Sequence, residues 1–126
     1  MVALNILERI WRFDGVFLIA PDNSQWPAIS GPHGKGLLPE GKYRIGQAVA
    51  LDSTILANLP YRDPTGLAWW CPLEPLFLTK RTHLGIHPDG NVPGTKGCIG
   101  ITSPDTRALF ERLMPGQGEI LIVQYS

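Results

Sequence analysis

Glycine and proline break this chain into short apolar stretches from one end to the other. The 14 glycines and 12 prolines among 126 residues fall between those stretches and do not gather in one segment. Placed this way, they read as turns in a β-rich protein and not as a low-complexity linker. The longest apolar run, VFLIA at 16–20, is far too short to span a bilayer. The expectation is a mainly β fold, of β-sandwich or similar β-rich type, in a single domain over residues 1–126. That length buries a core without staples.

Local signals place most of the elements. LNILERIWRF (4–13) suits a strand or a short helix, and Asp14-Gly15 between it and VFLIA is a hairpin signal. WPAISG (26–31) and KYRIGQAVAL (42–51) read as strands on either side of a glycine-rich loop. NLPYRDPTGLA (58–68) is a proline-punctuated loop. In WWCPLEPLFLTK (69–80), Pro72 and Pro75 suggest an edge or bulged strand. THLGIH (82–87) alternates and would put His83, Gly85 and His87 on one face if extended. One principal helix is predicted over 103–114, with Ser103 as N-cap, Pro104 at N1 and Pro115-Gly116 as the stop. EILIVQY (119–125) reads as a buried closing strand.

Eleven basic residues balance eleven acidic ones, so charge makes no case for nucleic acid or an anionic membrane as a partner. The opening MVALNILERIWRFDG carries Glu8 and Arg9 and shows no small-residue cleavage site, so no export signal is expected. Two cysteines are too few for a disulfide scaffold, although spacing leaves a Cys71–Cys98 bridge open.

The densest chemistry is HLGIHPDGNVPGTKGCIGI, His83 to Ile101, with two of the three histidines and one of the two cysteines. A nucleophilic cysteine needs exposure, a base and donors for an oxyanion. Cys98, between glycines 97 and 100, reads as exposed, and the N–H groups of Gly97 and Cys98 are the candidate oxyanion donors. His87 is the candidate base, turned back toward Cys98 by Pro88-Asp89-Gly90. The Pro88 carbonyl or Asp89 would hold its second ring nitrogen. The helix after Cys98 would add its N-terminal dipole if its axis points at the sulfur. Cys71, between Trp70 and Pro72, reads as a small buried hydrophobe. His33 is assigned no role. A zinc site from His83, His87 and Cys98 is disfavoured, because i,i+4 residues on a strand lie about 13 Å apart. GNVPGTKG lacks the spacing of a phosphate loop. No metal and no cofactor are expected.

These residues form a pattern. IH followed by Thr95-Lys96-Gly97-Cys98-Ile99 resembles the signature of the L,D-transpeptidase (YkuD-like) catalytic domain family. His87 matches the leading histidine, Thr95 the Ser/Thr, and Gly97-Cys98-Ile99 the nucleophile segment. The stretch from Ala28 to Ile45 is similar to a second hallmark, a strand ending in Ser-Gly followed by Pro-x-Gly-x-Tyr/Phe-x-Ile. The chain departs from the family where Lys96 replaces a second histidine and Gly100 an arginine that helps bind substrate. With the short His-to-Cys gap, these departures look like the compact branch that includes type VI secretion effectors and related phage or secreted proteins.

The resemblance implies an enzyme of peptidoglycan stem peptides, acting through a Cys98 thioester with His87 as proton carrier. Water as acceptor makes it an L,D-carboxypeptidase; an amine makes it a transpeptidase or D-amino-acid exchanger. Supporting or substrate-binding positions would be His83, Pro88, Asp89, Thr95, Lys96 and Arg81, with Lys96, Arg81 and Lys80 the nearest cations for the stem's carboxylates. Such a protein would be made in the cytoplasm without a signal peptide and act in the periplasm or cell envelope after machine-mediated delivery or lysis. An immunity or delivery protein would be a further partner. The alternative is a catalytically idle module on the same fold, binding stem peptides or a protein through exposed Trp69 and Trp70.

Overall fold

The computed structural model of the chain describes residues 9–31, 36–90, 95 and 97–125. His33, Lys96 and residues 1–8 therefore lie outside the described residues. Among the described residues the architecture is mainly β with one α-helix. The strands of the described residues are β1 (Ile10–Phe13), β2 (Phe17–Ile19), β3 (Gln25–Ile29), β4 (Gly41–Ile45), β5 (Val49–Leu51), β6 (Ala68–Pro75), β7 (Gly85–Pro88), β8 (Ile99–Ile101) and β9 (Ile120–Val123). They pair in the order β4-β9-β1-β2-β3-β8-β7-β6-β5, and β4 also pairs with β6. That extra pairing closes the order on itself and leaves β5 as an appendage of β6.

The hairpin signal at Asp14-Gly15 is realised. β1 and β2 pair antiparallel with Phe13 opposite Leu18, and Asp14 Oδ1 accepts the N–H groups of Val16 and Phe17 at 2.9 and 2.8 Å. Alternation then sorts each strand between two faces. Trp11, Phe13, Leu18, Tyr43, Ile86 and Leu121 are among the side chains that meet in one buried cluster.

β6 corrects the edge-strand expectation, since β7 lies along one side and β5 then β4 along the other. Its pairing with β5 covers 68–70 and its pairing with β4 covers 73–75. Pro72 falls in the gap between them and Pro75 at the strand's end, so the prolines sit where β6 changes or loses a partner. Their missing N–H groups cost the ladder little there.

The helix, α1 (Arg107–Leu113), is shorter than predicted and starts later. Ser103 is not its cap. The cap is Thr106, whose N–H and hydroxyl both donate to the buried Asp63 carboxylate, at 2.9 and 2.7 Å. The Trp69 indole donates in turn to the Thr106 hydroxyl at 2.8 Å. A carboxylate 43 residues upstream in sequence thus fixes where the helix begins. Leu109, Phe110 and Leu113 are its buried face, and Phe110 stacks on Trp69 with centroids 5.6 Å apart. Among the described residues no helix is long and apolar enough to cross a membrane.

Candidate active site

The site lies on the face of β6, β7 and β8 turned away from the apolar cluster. Cys71 lies opposite Ile86 on antiparallel β6 and β7, which puts Trp70 opposite His87 and Pro72 opposite Gly85. β7 and β8 run parallel with Ile86 opposite Ile99 and His87 opposite Gly100, so Cys98, just before β8, falls opposite Gly85. Cys71, Ile86 and Ile99 point into the core. Their neighbours Trp70, His87 and Cys98 share the other face. His87 and Cys98 are thus diagonal neighbours, and the two remaining corners of the square are Gly85 and Gly100. Neither glycine can be replaced without collision. A Cβ at Gly85 would lie 2.5 Å from Trp70 Cζ2, and one at Gly100 would lie 2.7 Å from Thr95 Cγ2. The two absences make room for the Trp70 indole at one corner and for Thr95 and Asp89 at the other. An arginine at position 100 has no room.

His87 is 5% exposed and boxed by rings. Trp70 stacks on it at 5.6 Å and 14°, and Tyr61 meets it edge-on at 4.8 Å and 82°. Tyr61 ends the 3₁₀ turn Leu56–Tyr61, against which the turn after β7 packs through Gly90, whose N–H donates to the Pro60 carbonyl at 3.0 Å. His87 Nδ1 lies 2.7 Å from the Pro88 carbonyl. A carbonyl only accepts, so Nδ1 carries the proton and Nε2 presents a lone pair. Of the two partners open in the sequence, this nitrogen thus meets Pro88. Asp89 packs its Cβ toward Gly100, and its N–H donates to the Ile101 carbonyl at 2.8 Å. Burial pulls the His87 pKa from 6.5 to about 4, against the opposing effect of the Pro88 bond. The ring is neutral at rest.

Cys98 is only 9% exposed, which corrects the expectation that flanking glycines leave it open. Its backbone carbonyl accepts two hydroxyls, Ser30 at 2.7 Å and Thr95 at 2.8 Å. Ser30 also accepts the Leu38 N–H at 2.8 Å, and Thr95 the Gly31 N–H at 3.0 Å. The Cys98 peptide is therefore pinned to the segment after β3. The same Thr95 oxygen takes the Gly97 N–H at 3.2 Å, so of the two candidate oxyanion donors this one already faces an acceptor.

The Cys98 sulfur lies 3.5 Å from the His83 carbonyl. His83 itself does not join the strand. Its φ of +56° turns the chain left-handed, its ring is exposed, and Nδ1 lies 3.2 Å from Thr82 Oγ1. The expectation that His83, Gly85 and His87 share a face fails for this reason, and what His83 brings to the sulfur is its backbone. Burial raises the Cys98 pKa, opposed by the Gly85 N–H and the Arg81 guanidinium. The resting pair is a neutral thiol and a neutral imidazole, and not the thiolate–imidazolium pair that a lowered thiol pKa would give.

Three other readings are settled by burial. Cys71 is fully buried and burial pushes its thiol up to about 12, so it is the inert cysteine. Both cysteines are free thiols. Trp69 is 0% exposed and Trp70 only partly so, which removes the exposed tryptophan pair from which a recognition surface was expected. Ser30, Tyr61 and Trp70 join the site unannounced by spacing. Ser30 carries a signal only through the Ser-Gly hallmark; the two rings reach His87 by strand register and a distant turn.

The comparisons agree with this architecture. The structure of L,D-transpeptidase 1 from Mycobacterium tuberculosis is similar at a TM-score of 0.53 and 15% identity, over 91% of this chain and 58% of that one. An L,D-transpeptidase from Mycobacterium smegmatis aligns at 20% identity and a TM-score of 0.47, over 91% of this chain and 57% of that one. The chain thus spans less than two thirds of either protein, and at 15% identity the first likeness bears on fold alone. No match to a curated protein was found. The family description of the YkuD L,D-transpeptidase catalytic domain matches residues 16–122, which take in β2 through most of β9 together with Ser30, His87, Thr95 and Cys98. The chain belongs to the L,D-transpeptidase catalytic domain family.

Proposed function

We propose that this chain is a cysteine-dependent enzyme of peptidoglycan stem peptides, with Cys98 as nucleophile and His87 as proton carrier. One observation carries the reading: His87 and Cys98 share a face on paired strands, with glycine at both intervening corners and Nε2 left as the free base. The thiol proton passes to Nε2 as sulfur bonds to the carbonyl carbon of a stem residue. The tetrahedral adduct collapses, the C–N bond breaks, and the leaving amine takes the proton from the imidazolium. A thioester remains. Water resolves it in a carboxypeptidase and an amine in a transpeptidase or exchange enzyme, each regenerating the thiol.

Both shifted pKa values oppose an early ion pair, so the proton moves only as the attack develops and not beforehand. The Cys98 N–H, on the peptide next to the pinned carbonyl, is the oxyanion donor we assign, worth about 3 kcal/mol in such a role. The Gly85 N–H stabilises negative sulfur directly.

The test is mass spectrometry of tetrapeptide muropeptides after incubation, with thermal melts alongside. Cys98→Ala should fall to background while still melting as a folded protein. Cys71→Ala should keep its turnover per folded molecule and lose about 1 kcal/mol or more of stability, because it vacates a packed site. Full turnover by Cys98→Ala would end the proposal. The wild-type products name the acceptor.

A further inference from the structure

In the reaction above His87 must become a cation, and it must do so where it is buried from water. The causes that move its pKa are burial and the Pro88 bond, and neither is a counter-charge. What encloses the ring is aromatic. Trp70 lies nearly parallel to it, with centroids 5.6 Å apart and 14° between the planes. Tyr61 meets both rings at a steep angle, the imidazole at 4.8 Å and the indole at 5.7 Å, and so braces the stack. The indole's seat is built for it. Its six-membered ring lies against Gly85, where a Cβ would come within 2.5 Å of Cζ2 and 2.7 Å of Cη2. The ionisable side chains around the pair are Tyr61 from the 3₁₀ turn, Asp89 with its carboxylate toward Gly100, Cys98 before β8, and Arg81, whose charge reaches the sulfur.

We propose that the Trp70 indole stabilises the His87 imidazolium while the proton is in transit, its π face acting where another site would place a counter-ion. A cation is drawn to the negative face of an aromatic ring, indole attracts it most strongly, and the attraction grows where water is excluded. The 5.6 Å spacing lies inside the roughly 6 Å over which that attraction acts. A carboxylate in the same place would hold a full negative charge against the ring and favour the protonated form at rest. The indole carries no net charge. It leaves the resting imidazole its lone pair and favours the cation once that forms. Acting through His87, Trp70 is a positioning residue that contributes to charge as well as to geometry. The inference rests on the enzyme reading above and assigns the partner of its transient cation.

The test changes the ring's charge distribution and leaves its shape nearly alone. Tryptophan bearing one, two or three ring fluorines replaces Trp70 in the full chain, each fluorine drawing electron density out of the π face. Alkylation of Cys98 by iodoacetamide is then followed by peptide mass spectrometry. The sulfur bonds to the CH2 carbon, iodide leaves, and the thiol proton passes to His87. The rate should fall stepwise with fluorine number, about tenfold across the series. The same series in place of Trp69, which stacks on Phe110 in the core, should leave the rate unchanged. So should the series at position 70 in His87→Gln, where no imidazolium forms. The Asp89 carboxylate acts on the cation whatever the indole carries, so the fluorines isolate Trp70. On tetrapeptide stems kcat/KM should fall in parallel and its acid limb move to lower pH, because a less favoured cation titrates lower. A rate indifferent to the fluorines would overturn the proposal. An equal fall in His87→Gln would overturn it too, since the fluorines would then act through the fold. If the fluorinated chains do not fold, Trp70→Phe and Trp70→Leu decide: the ring should keep more of the rate than the aliphatic side chain, and equal rates would sink the idea. Alkylation needs no muropeptide, so this result stands or falls separately from the enzyme reading.

Discussion

His87 is the residue on which site and stability meet. It is neutral, ringed by Trp70 and Tyr61, and held by the Pro88 carbonyl, so its folded pKa of about 4 lies below the ordinary 6.5. Between those two values the unfolded chain binds a proton that the folded chain refuses, and stability therefore rises with pH across that window. The contribution is fully present above 6.5 and is lost as pH falls toward about 4. The size of the effect is on the order of 3 kcal/mol. Thermal melts of the wild type should lose stability over this range, and His87→Gln should flatten that part of the curve. Kinetics should show the same shift, with the acid limb of kcat/KM displaced well below the pKa of a free imidazole. An acid limb near 6.5 would mean that the buried ring is not the working base.

At the scale of the element, the outer face of β6, β7 and β8 works as a grid of large and absent side chains. Trp70, His87 and Gly100 form one row; Pro72, Gly85 and Cys98 form the next. Gly85→Ala tests the grid. Its Cβ would meet Trp70 Cζ2 at 2.5 Å and the Cys71 carbonyl at 2.8 Å, and of the two only the indole has freedom to move. The indole should leave the imidazole, with turnover falling about tenfold or more and stability by about 1–3 kcal/mol, as for other overpacked sites. The checks are turnover per folded molecule and the near-ultraviolet circular dichroism of the tryptophans. Unaltered turnover would show that the Trp70 stack does not position His87. A helix also belongs to this scale. Ser103-Pro104-Asp105 is a sound start signal, yet Asp63 and Trp69 fix Thr106 from outside and the helix begins there. A local signal marks a neighbourhood, and the tertiary partner selects the residue.

The whole molecule depends on strands distant in sequence. β9, near the end of the chain, lies parallel to β1 and antiparallel to β4. Leu121 is its fully buried centre, facing Trp11 on one side and Tyr43 on the other. Leu121→Ala should cost about 2–5 kcal/mol, the range for a buried leucine cut back in a packed core. Because β9 joins the first strand to the strand that closes the order, the loss should appear as one cooperative shift in a urea titration, with all tryptophan signals moving together. A separate early transition confined to β1 and β9 would show that the closure is weaker than the pairing implies.

The sequence determined the class of fold through its punctuation. Frequent glycine and proline kept the apolar runs short, and the Asp14-Gly15 hairpin and the terminal EILIVQY strand emerged where those local signals lay, because turn chemistry and alternation act within a few residues. It also determined the chemical inventory, since the family's Thr95 and Gly97-Cys98 pattern, and His87 before it, are contiguous motifs. What it left to the tertiary structure were matters of pairing and burial. Pro72 looked like an edge marker until β6 was seen to exchange β5 for β4 at that point. Trp69 and Trp70 are adjacent in sequence, and only the sheet decided that one enters the core while the other covers His87. Cys98 seemed bare between glycines, yet its neighbours in space are the His83 carbonyl, Arg81 and the Gly85 N–H, and they set its burial and its charge state. Register between segments is a long-range agreement among many side chains, and no stretch of sequence carries it alone.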